Sequence, residues 1–354
     1  MPDVPVPPSV DRNEWLEGEL RGLLTPTDAS SRPNSSSLAV RLKNLELMAL
    51  NIKYFGFELA RRLAADLPVR ENIGYRPVGL GWKPSTQADL ESDWCAYWCA
   101  QLGIGVIFHR KLWEFAYLLQ GLAENGVLEP GRRGVGFGCG EEPLASYMAS
   151  RGVHATVTDL SIEDASAEGW KQTGQHLTAL ESAYKAHLVT REVFDALVSH
   201  RVVDMNAIPP DLTDFDFCWS VCALEHLGSI GKAMDFVVNA MATLKPGGVA
   251  VHTTEFNFLS DDETIDNWPT VLPLRRHFAA LAERLRGLGH EVNSLDFNVG
   301  DKPLDRFIDI PPYPGDPSQK LERMNAHGDS AHLKLSIDGF ASTCFGMIIR
   351  KSLS

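Results

Sequence analysis

With 354 residues, 46 acidic against 33 basic side chains and a net charge of −13, the chain can bury a large core but does not favour a phosphate backbone. That argues against nucleic acid as a partner. No apolar run approaches the roughly 20 residues that span a bilayer. The N-terminus Met1-Pro2-Asp3-Val4-Pro5 also lacks the charged-then-apolar pattern of a signal peptide, so no membrane and a cytoplasmic location are expected.

Residues 1–37 are rich in Pro, Ser and Asp and read as a flexible tail. From Leu38 to Leu67 apolar residues recur at three- and four-residue spacing (Leu42, Leu45, Met48, Ile52, Phe55, Leu59, Leu63), which predicts an amphipathic helix stopped by Pro68. Such a helix either docks on the main domain or serves as the arm of a homodimer. Residues 69–90 read as loop. An aromatic-rich helical stretch follows over 89–122, with Trp94, Tyr97, Trp98, Trp113 and Tyr117. Most of these rings belong in a core, and one or two can form a lid over a ligand, Trp113 being the candidate for substrate contact. Residues 38–130 are thus a helical extension, and 131–354 the main domain.

The most informative stretch is Gly134-Val135-Gly136-Phe137-Gly138-Cys139-Gly140-Glu141-Glu142-Pro143. Glycines at 136, 138 and 140 permit positive φ and close approach of a ligand to the backbone. Pro143 stands where a helix begins, a place where its missing N–H costs nothing. His154–Leu160 alternates as a strand and ends in Asp159. Together these give strand, glycine loop, helix, strand and acid, the ligand cradle of a doubly wound sheet. The spacing misses the dinucleotide fingerprint G-x-G-x-x-G in every register, and Glu141 and Glu142 at the helix mouth would repel a pyrophosphate. A positively charged cofactor without phosphate, S-adenosylmethionine, fits better than NAD.

Helical stretches are predicted over 162–187 and 190–198, then a short strand at Val202-Val203-Asp204 and a buried one at Phe215–Val221. A helix over 230–244, a turn at Lys245–Gly248, a strand over 249–254 and a helix over 273–288 continue the alternation. Strands near 290–298 and 341–350 are expected to form an antiparallel hairpin at the edge. Alternating strands and helices predict a mostly parallel sheet covered on both faces. The six cysteines include two C-x3-C pairs, Cys95/Cys99 and Cys218/Cys222, unlike the C-x2-C of zinc knuckles, so buried structural thiols and no metal are expected.

Five motifs in order carry a resemblance to the class I S-adenosylmethionine-dependent methyltransferases over roughly 131–351. They are the glycine loop at 136–140, Asp159 ending the second strand and Asp204 ending the third. Ser220-Val221-Cys222-Ala223-Leu224-Glu225-His226 follows the fourth, and Leu244–Gly248 precedes the fifth. The segment His109–Pro143 also resembles a bacterial subgroup associated with saccharide or secondary-metabolite modification. The resemblance implies a Rossmann-like, doubly wound seven-stranded α/β sheet. It implies that Gly136, Gly138 and Gly140 cradle the donor and that Asp159, with Leu160 beside it, holds the ribose. Asp204 and Met205 would meet the adenine, while Ser220 and Val221 would run past the methionine end. Family loops place an acid ahead of the glycines that helps hold the methionine ammonium; here Gly134 or Gly136 stands there, Glu141 or Glu142 is the candidate to supply that charge, and Arg110 or Lys111 is the candidate for the methionine carboxylate.

For the acceptor, His226 and Glu255 are the candidate catalytic groups, with Glu225 and Asn257 as candidate substrate contacts. The expected reaction is methylation of a hydroxyl on a small polar or glycosylated acceptor; N- or C-methylation uses the same fold. An NAD-dependent oxidoreductase and a cofactor-binding protein without catalysis are the other readings.

Overall fold

The computed structural model describes residues 35–70, 72–160, 180–267, 269–313 and 331–353. Most of the expected tail lies outside them, as does the expected helix over 162–187 up to residue 179; its remainder is a 3-10 turn at Leu180–Ala183 followed by non-helical chain. In chain order the described elements begin with α1 (Ser35–Ala65), β1 (Lys83–Pro84), α2 (Gln87–Leu90), α3 (Asp93–Leu102), β2 (Phe108–His109) and α4 (Arg110–Glu124). Then come β3 (Arg133–Phe137), α5 (Leu144–Ser150), β4 (His154–Asp159), α6 (Arg191–Leu197), β5 (Val198–Val202) and β6 (Phe215–Val221). They continue with α7 (Ile230–Ala240), β7 (Leu244–Asn257), β8 (Asp266–Asn267), β9 (Thr270–Val271), α8 (Arg275–Gly287) and β10 (Glu291–Val292). The last are α9 (Pro303–Arg306), β11 (Ile308–Asp309), β12 (Ala331–His332), β13 (Lys334–Ile337) and β14 (Phe340–Arg350).

The main sheet runs β11-β13-β14-β7-β6-β3-β4-β5. Strands β5, β4, β3, β6 and β7 are parallel, β14 is antiparallel to β7, and β13 is antiparallel to β14. This is the expected mostly parallel α/β sheet with an antiparallel edge pair. The short β1, β10 and β11 extend it to ten strands. All seven residues of β6 are buried, as a central strand covered on both faces requires. Gly134 and Gly136 on β3 have a steric reason: a Cβ at either would come within 2.3 Å of the Phe217 or Trp219 ring of β6. Asp216 ties three strand entrances together, accepting from Arg133 N at 2.9 Å, Arg132 Nη1 at 3.2 Å and Lys245 Nζ at 3.0 Å.

Several sequence expectations shift. The edge hairpin is β13–β14, not 290–298 with 341–350; of the former only Glu291–Val292 pairs, against Ile349 and Arg350 of β14. Polar Asn293, Ser294, Asp296 and Asn298 instead bond as turns and to the loop around Trp82. The aromatic stretch is broken after Leu102, where Gly103 takes φ 66 and caps α3. The third parallel strand is Val198–Val202, a few residues earlier than expected.

By its contacts the chain forms two compact units, Met1–Phe55 with Pro311–Ala326, and Gly56–Ile310 with His327–Ser354. In the first, Val40, Leu42, Leu45, Met48, Ile52 and Phe55 of α1 are exposed, and the Lys53 ammonium lies 5.0 Å from the Tyr313 ring centre. The second unit holds the sheet and every candidate site residue. There α4 packs on β7 and β14, with Tyr117 donating to the Gly81 carbonyl at 2.7 Å. No helix among the described residues is long and apolar enough to cross a membrane.

Candidate active site

The strand order reverses at β3, which has β4 on one side and β6 on the other. Ligands of open α/β sheets bind at the carboxyl ends of the strands at such a point. A cavity of about 260 Å³ lies there, lined by Lys111 of α4, Gly138, Gly140 and Glu142 of the glycine loop, and Val221 and Cys222 at the end of β6. Gly138 and Gly140 take φ 60 and 49, a region that favours glycine. A Cβ on Gly138 would also come within 2.7 Å of Ala223 Cβ.

Asp159 ends β4 beside this loop. Its carboxylate accepts from Leu160 N at 2.9 Å and, weakly, from Gly140 N at 3.4 Å. Asp204 is exposed past β5 and accepts from Asn206 N at 2.8 Å, while Met205 turns inward. Met205 Sδ would lie 3.4 Å from a Cβ on Gly138, which places the thioether against the loop. Ser220 is fully buried and shares a 2.8 Å hydrogen bond with His252 Nδ1. Burial pushes that imidazole down to about 3, so it stays neutral at physiological pH.

Beyond Cys222 the wall is ionic. Arg110 pairs with Glu255, which also accepts from Ser342, and Lys111 Nζ lies 3.7 Å from Glu114. Burial alone would raise the Glu114 carboxyl, but Lys111 and Arg110 outweigh it and hold Glu114 below its usual range. Glu225 also faces Arg110. Three carboxylates (Glu114, Glu225, Glu255) therefore stand against two cations (Arg110, Lys111), an acid excess suited to a cationic ligand. Positive-φ glycines at the cavity mouth and this charge balance fit S-adenosylmethionine, whose sulfonium is a cation and which carries no phosphate.

Residues 110–299, just over half the chain, match the family described as Methyltransferase domain. The chain belongs to that family. It is an S-adenosylmethionine-dependent methyltransferase. No curated protein matches it. Among solved structures it is similar to a putative sarcosine dimethylglycine methyltransferase from Galdieria sulphuraria, at 15% identity and TM-score 0.43 over 74% of this chain and 99% of that one. It is also similar to the [4+2]-cyclase SpnF, at 19% identity and TM-score 0.44 over 78% and 100% of the two chains. A third is phosphoethanolamine N-methyltransferase 2 of Haemonchus contortus in complex with S-adenosyl-L-methionine, at 18% identity and TM-score 0.39 over 66% and 52%.

The remaining candidates of the methyltransferase fall into two groups. His226 is partly exposed at the end of a single 3-10 turn after β6, and its Nδ1 lies 2.9 Å from the Pro269 carbonyl. A carbonyl only accepts, so that contact places a proton on Nδ1, while Nε2 lies 3.9 Å from Glu225. Glu225 is buried and accepts from Thr254 at 3.1 Å. Asn257 ends β7 with its amide donating to Glu263 O at 3.0 Å; its Oδ1 has no hydrogen-bond partner among the described residues. Trp113, expected at the acceptor, is instead fully buried, donating to Asp89 at 2.8 Å and stacked on Tyr117.

Two groups at this wall have the residue types and spacing to ligate a metal: Glu114, Cys222 and Cys344, and Cys222, Glu225 and Glu255. Arg110 and Lys111 already neutralise their carboxylates, and burial pushes the Cys222 thiol up to about 11, away from the thiolate a metal needs. All six cysteines are free and buried. Sequence reading missed Glu114, a wholly buried acid on a helix that reads as amphipathic. The available signal was its i,i+3 spacing from Lys111 amid aromatic residues. Cys222, which the sequence motif contains, is a non-glycine at φ 44 at the end of β6 and lines the cavity.

Proposed function

We propose that the methyltransferase transfers the methyl group to a hydroxyl oxygen of a small polar or glycosylated acceptor, by in-line displacement with His226 as base. Bound S-adenosylmethionine supplies an electrophilic methyl on sulfur. The chain's own task is to align the acceptor and take its proton. Alignment contributes roughly 7–11 kcal/mol to such reactions, and a positioned base roughly 3–5 kcal/mol. Asp159 would hold the ribose and Asp204 with Met205 the adenine, while Leu160, Ser220 and Val221 complete the donor wall.

The observation that carries this reading is the His226 ring, with Nδ1 committed to the Pro269 carbonyl and Nε2 beside Glu225. A hydroxyl needs a proton acceptor as it attacks, whereas an amine attacks in its neutral form. The ionic wall of Arg110, Glu225 and Glu255, with Asn257 nearby, supports a polar acceptor. The likeness of His109–Pro143 to a bacterial subgroup supports saccharide or secondary-metabolite chemistry. The test is methyl-labelled S-adenosylmethionine with a panel of hydroxyl, amine and thiol acceptors, glycosides included. Label is expected on a hydroxyl, and His226→Gln is expected to slow turnover by about 10²–10⁴ without changing donor affinity. Label on nitrogen or carbon alone, or an unaffected Gln variant, would remove this reading.

The exposed apolar stripe of α1 supports a homodimer through the N-terminal helices, with Leu45, Ile52 and Phe55 as its centre. Light scattering of the full chain is expected to give twice the monomer mass, and Ile52→Glu with Phe55→Glu to halve it. A monomeric wild type would refute the arm.

A further inference from the structure

Two thiols that the proposed reaction does not use meet at the wall of the glycine-loop cavity. Cys222, one residue past β6, lines the cavity, and its Sγ lies 3.4 Å from Sγ of Cys344 on β14. Strand β7 stands between β6 and β14 in the sheet, so the sulfurs meet over its face rather than across one ladder. A carboxylate oxygen of Glu114 lies within 4.8 Å of both. The two cysteines are held differently. Cys344 sits inside the sheet, paired with Glu255 of β7, its carbonyl accepting from Ser85 N at 2.8 Å. Cys222 has left its strand at φ 44 and keeps its N–H on Thr253, 3.0 Å from the carbonyl and 3.2 Å from Oγ1. The next residue, Ala223, packs on the glycine loop, where a Cβ at Gly138 would come within 2.7 Å of its own Cβ. A closer approach of the sulfurs therefore falls on Cys222 and is passed through Ala223 to the loop.

We propose that Cys222 and Cys344 are an oxidation-sensitive pair: a peroxide joins them in a disulfide, and the cross-link weakens binding of the methyl donor. The weakening rests on S-adenosylmethionine occupying the cavity; the cross-link does not. Cys222, on the cavity side, reacts first. Its thiolate attacks one peroxide oxygen, the O–O bond breaks, and the departing hydroxide takes up the thiol's proton as water. Cys344 then displaces the sulfenic oxygen, the S–S bond forms, and a second water leaves. In sum, two thiols and one hydrogen peroxide give one disulfide and two waters; the sulfurs lose two electrons and the peroxide gains them. The second step is intramolecular, between sulfurs already in contact, which favours it over capture by an outside thiol. Burial, with Glu114 and Glu225 against Cys344 and Lys111, pushes the Cys222 thiol up to about 11. Thiolate is scarce at neutral pH, and the first step speeds up about tenfold per pH unit below that value. Oxidation and binding are reciprocal: whatever factor the disulfide costs the donor, a bound donor costs the disulfide.

The full chain is treated with hydrogen peroxide at about pH 7 and about pH 9, with and without S-adenosylhomocysteine. Remaining thiols are alkylated, and the unreduced protein is mapped by peptide mass spectrometry. The expected product is a Cys222–Cys344 peptide pair that dithiothreitol separates. It should form about 100-fold faster at the higher pH, and more slowly with S-adenosylhomocysteine present. Calorimetry should show S-adenosylmethionine binding about tenfold weaker to the oxidised chain, with recovery on reduction. Cys344→Ala removes the second sulfur and should leave a sulfenic acid at Cys222 that dimedone captures, with no cross-link. No cross-link in the wild type at either pH, or Cys95 joined to Cys99 in its place (3.9 Å between sulfurs on α3), overturns the pair. A cross-linked chain that binds S-adenosylmethionine as tightly as the reduced one overturns its effect on the donor. A reduced chain that binds neither ligand overturns the donor reading itself, while the peptide map still decides the cross-link.

Discussion

Asp159→Ala is expected to weaken S-adenosylmethionine binding by about 2–4 kcal/mol, roughly 30- to 1000-fold, with little change in Tm. The carboxylate is half-buried at the carboxyl end of β4 and accepts from Leu160 N at 2.9 Å and Gly140 N at 3.4 Å. A carboxylate has two oxygens and about four lone-pair directions, which suit a pair of ribose hydroxyls. Both named contacts run to backbone N–H groups beside the loop, whereas a bound ribose would depend on the carboxylate oxygens themselves. Asp159→Asn keeps one acceptor oxygen and should fall between the two. Calorimetric affinity read beside a melting curve checks this, and equal affinity for wild type and Asp159→Ala would sink the ribose assignment.

The second large effect is on stability. Glu255→Ala should cost about 3 kcal/mol and lower Tm by roughly 5–10 °C, because it leaves the Arg110 guanidinium in a largely buried site without its nearest counter-charge. Glu255 is 2% exposed and Arg110 17%, and Arg110 Nε already has no hydrogen-bond partner among the described residues. Glu114 and Glu225 still face the guanidinium, which keeps the loss near the lower end for a broken buried pair. A double change, Glu255→Ala with Arg110→Met, should recover much of the loss. Were Glu255 a proton acceptor for the reaction, its removal would instead slow turnover with the melting temperature intact. Thermal unfolding of the three proteins separates the two roles.

What the sequence made legible is what local geometry dictates. The glycine loop could be read because positive φ at Gly138 and Gly140 is a demand of the chain itself. Gly136 was read for the same reason but is needed for a different one, the Trp219 ring lying across it. That ring comes from β6, far along the chain, and no local rule announces it. The same limit hid the Arg110–Glu255 pair and left Trp113 facing the wrong way: from sequence a tryptophan on α4 can suit a lid, and only packing against Asp89 and Tyr117 turns it inward. The edge hairpin was misplaced because 290–298 alternates like a strand, whereas its polar residues bond within turns. Strand pairing at an edge is decided by partners, which a single strand's pattern does not name.

Strand β14 pairs along one edge with β7 and along the other with β13, β1 and β10 in turn. Lys83 thus meets Gly346, and His109 of β2 lies beside His332 of β12. A ribosome delivers the glycine loop and strands β3 to β7 long before it delivers residues 340–350. Until then the outer edge of β7 is bare, and the Trp82 indole lacks its acceptor, the Ile348 carbonyl. The parallel half of the sheet can collect during synthesis, but the wall that carries Arg110 closes only once residues 340–350 have emerged. A stalled or shortened chain would therefore present an open β edge next to an unfinished pocket, the surface a chaperone meets first.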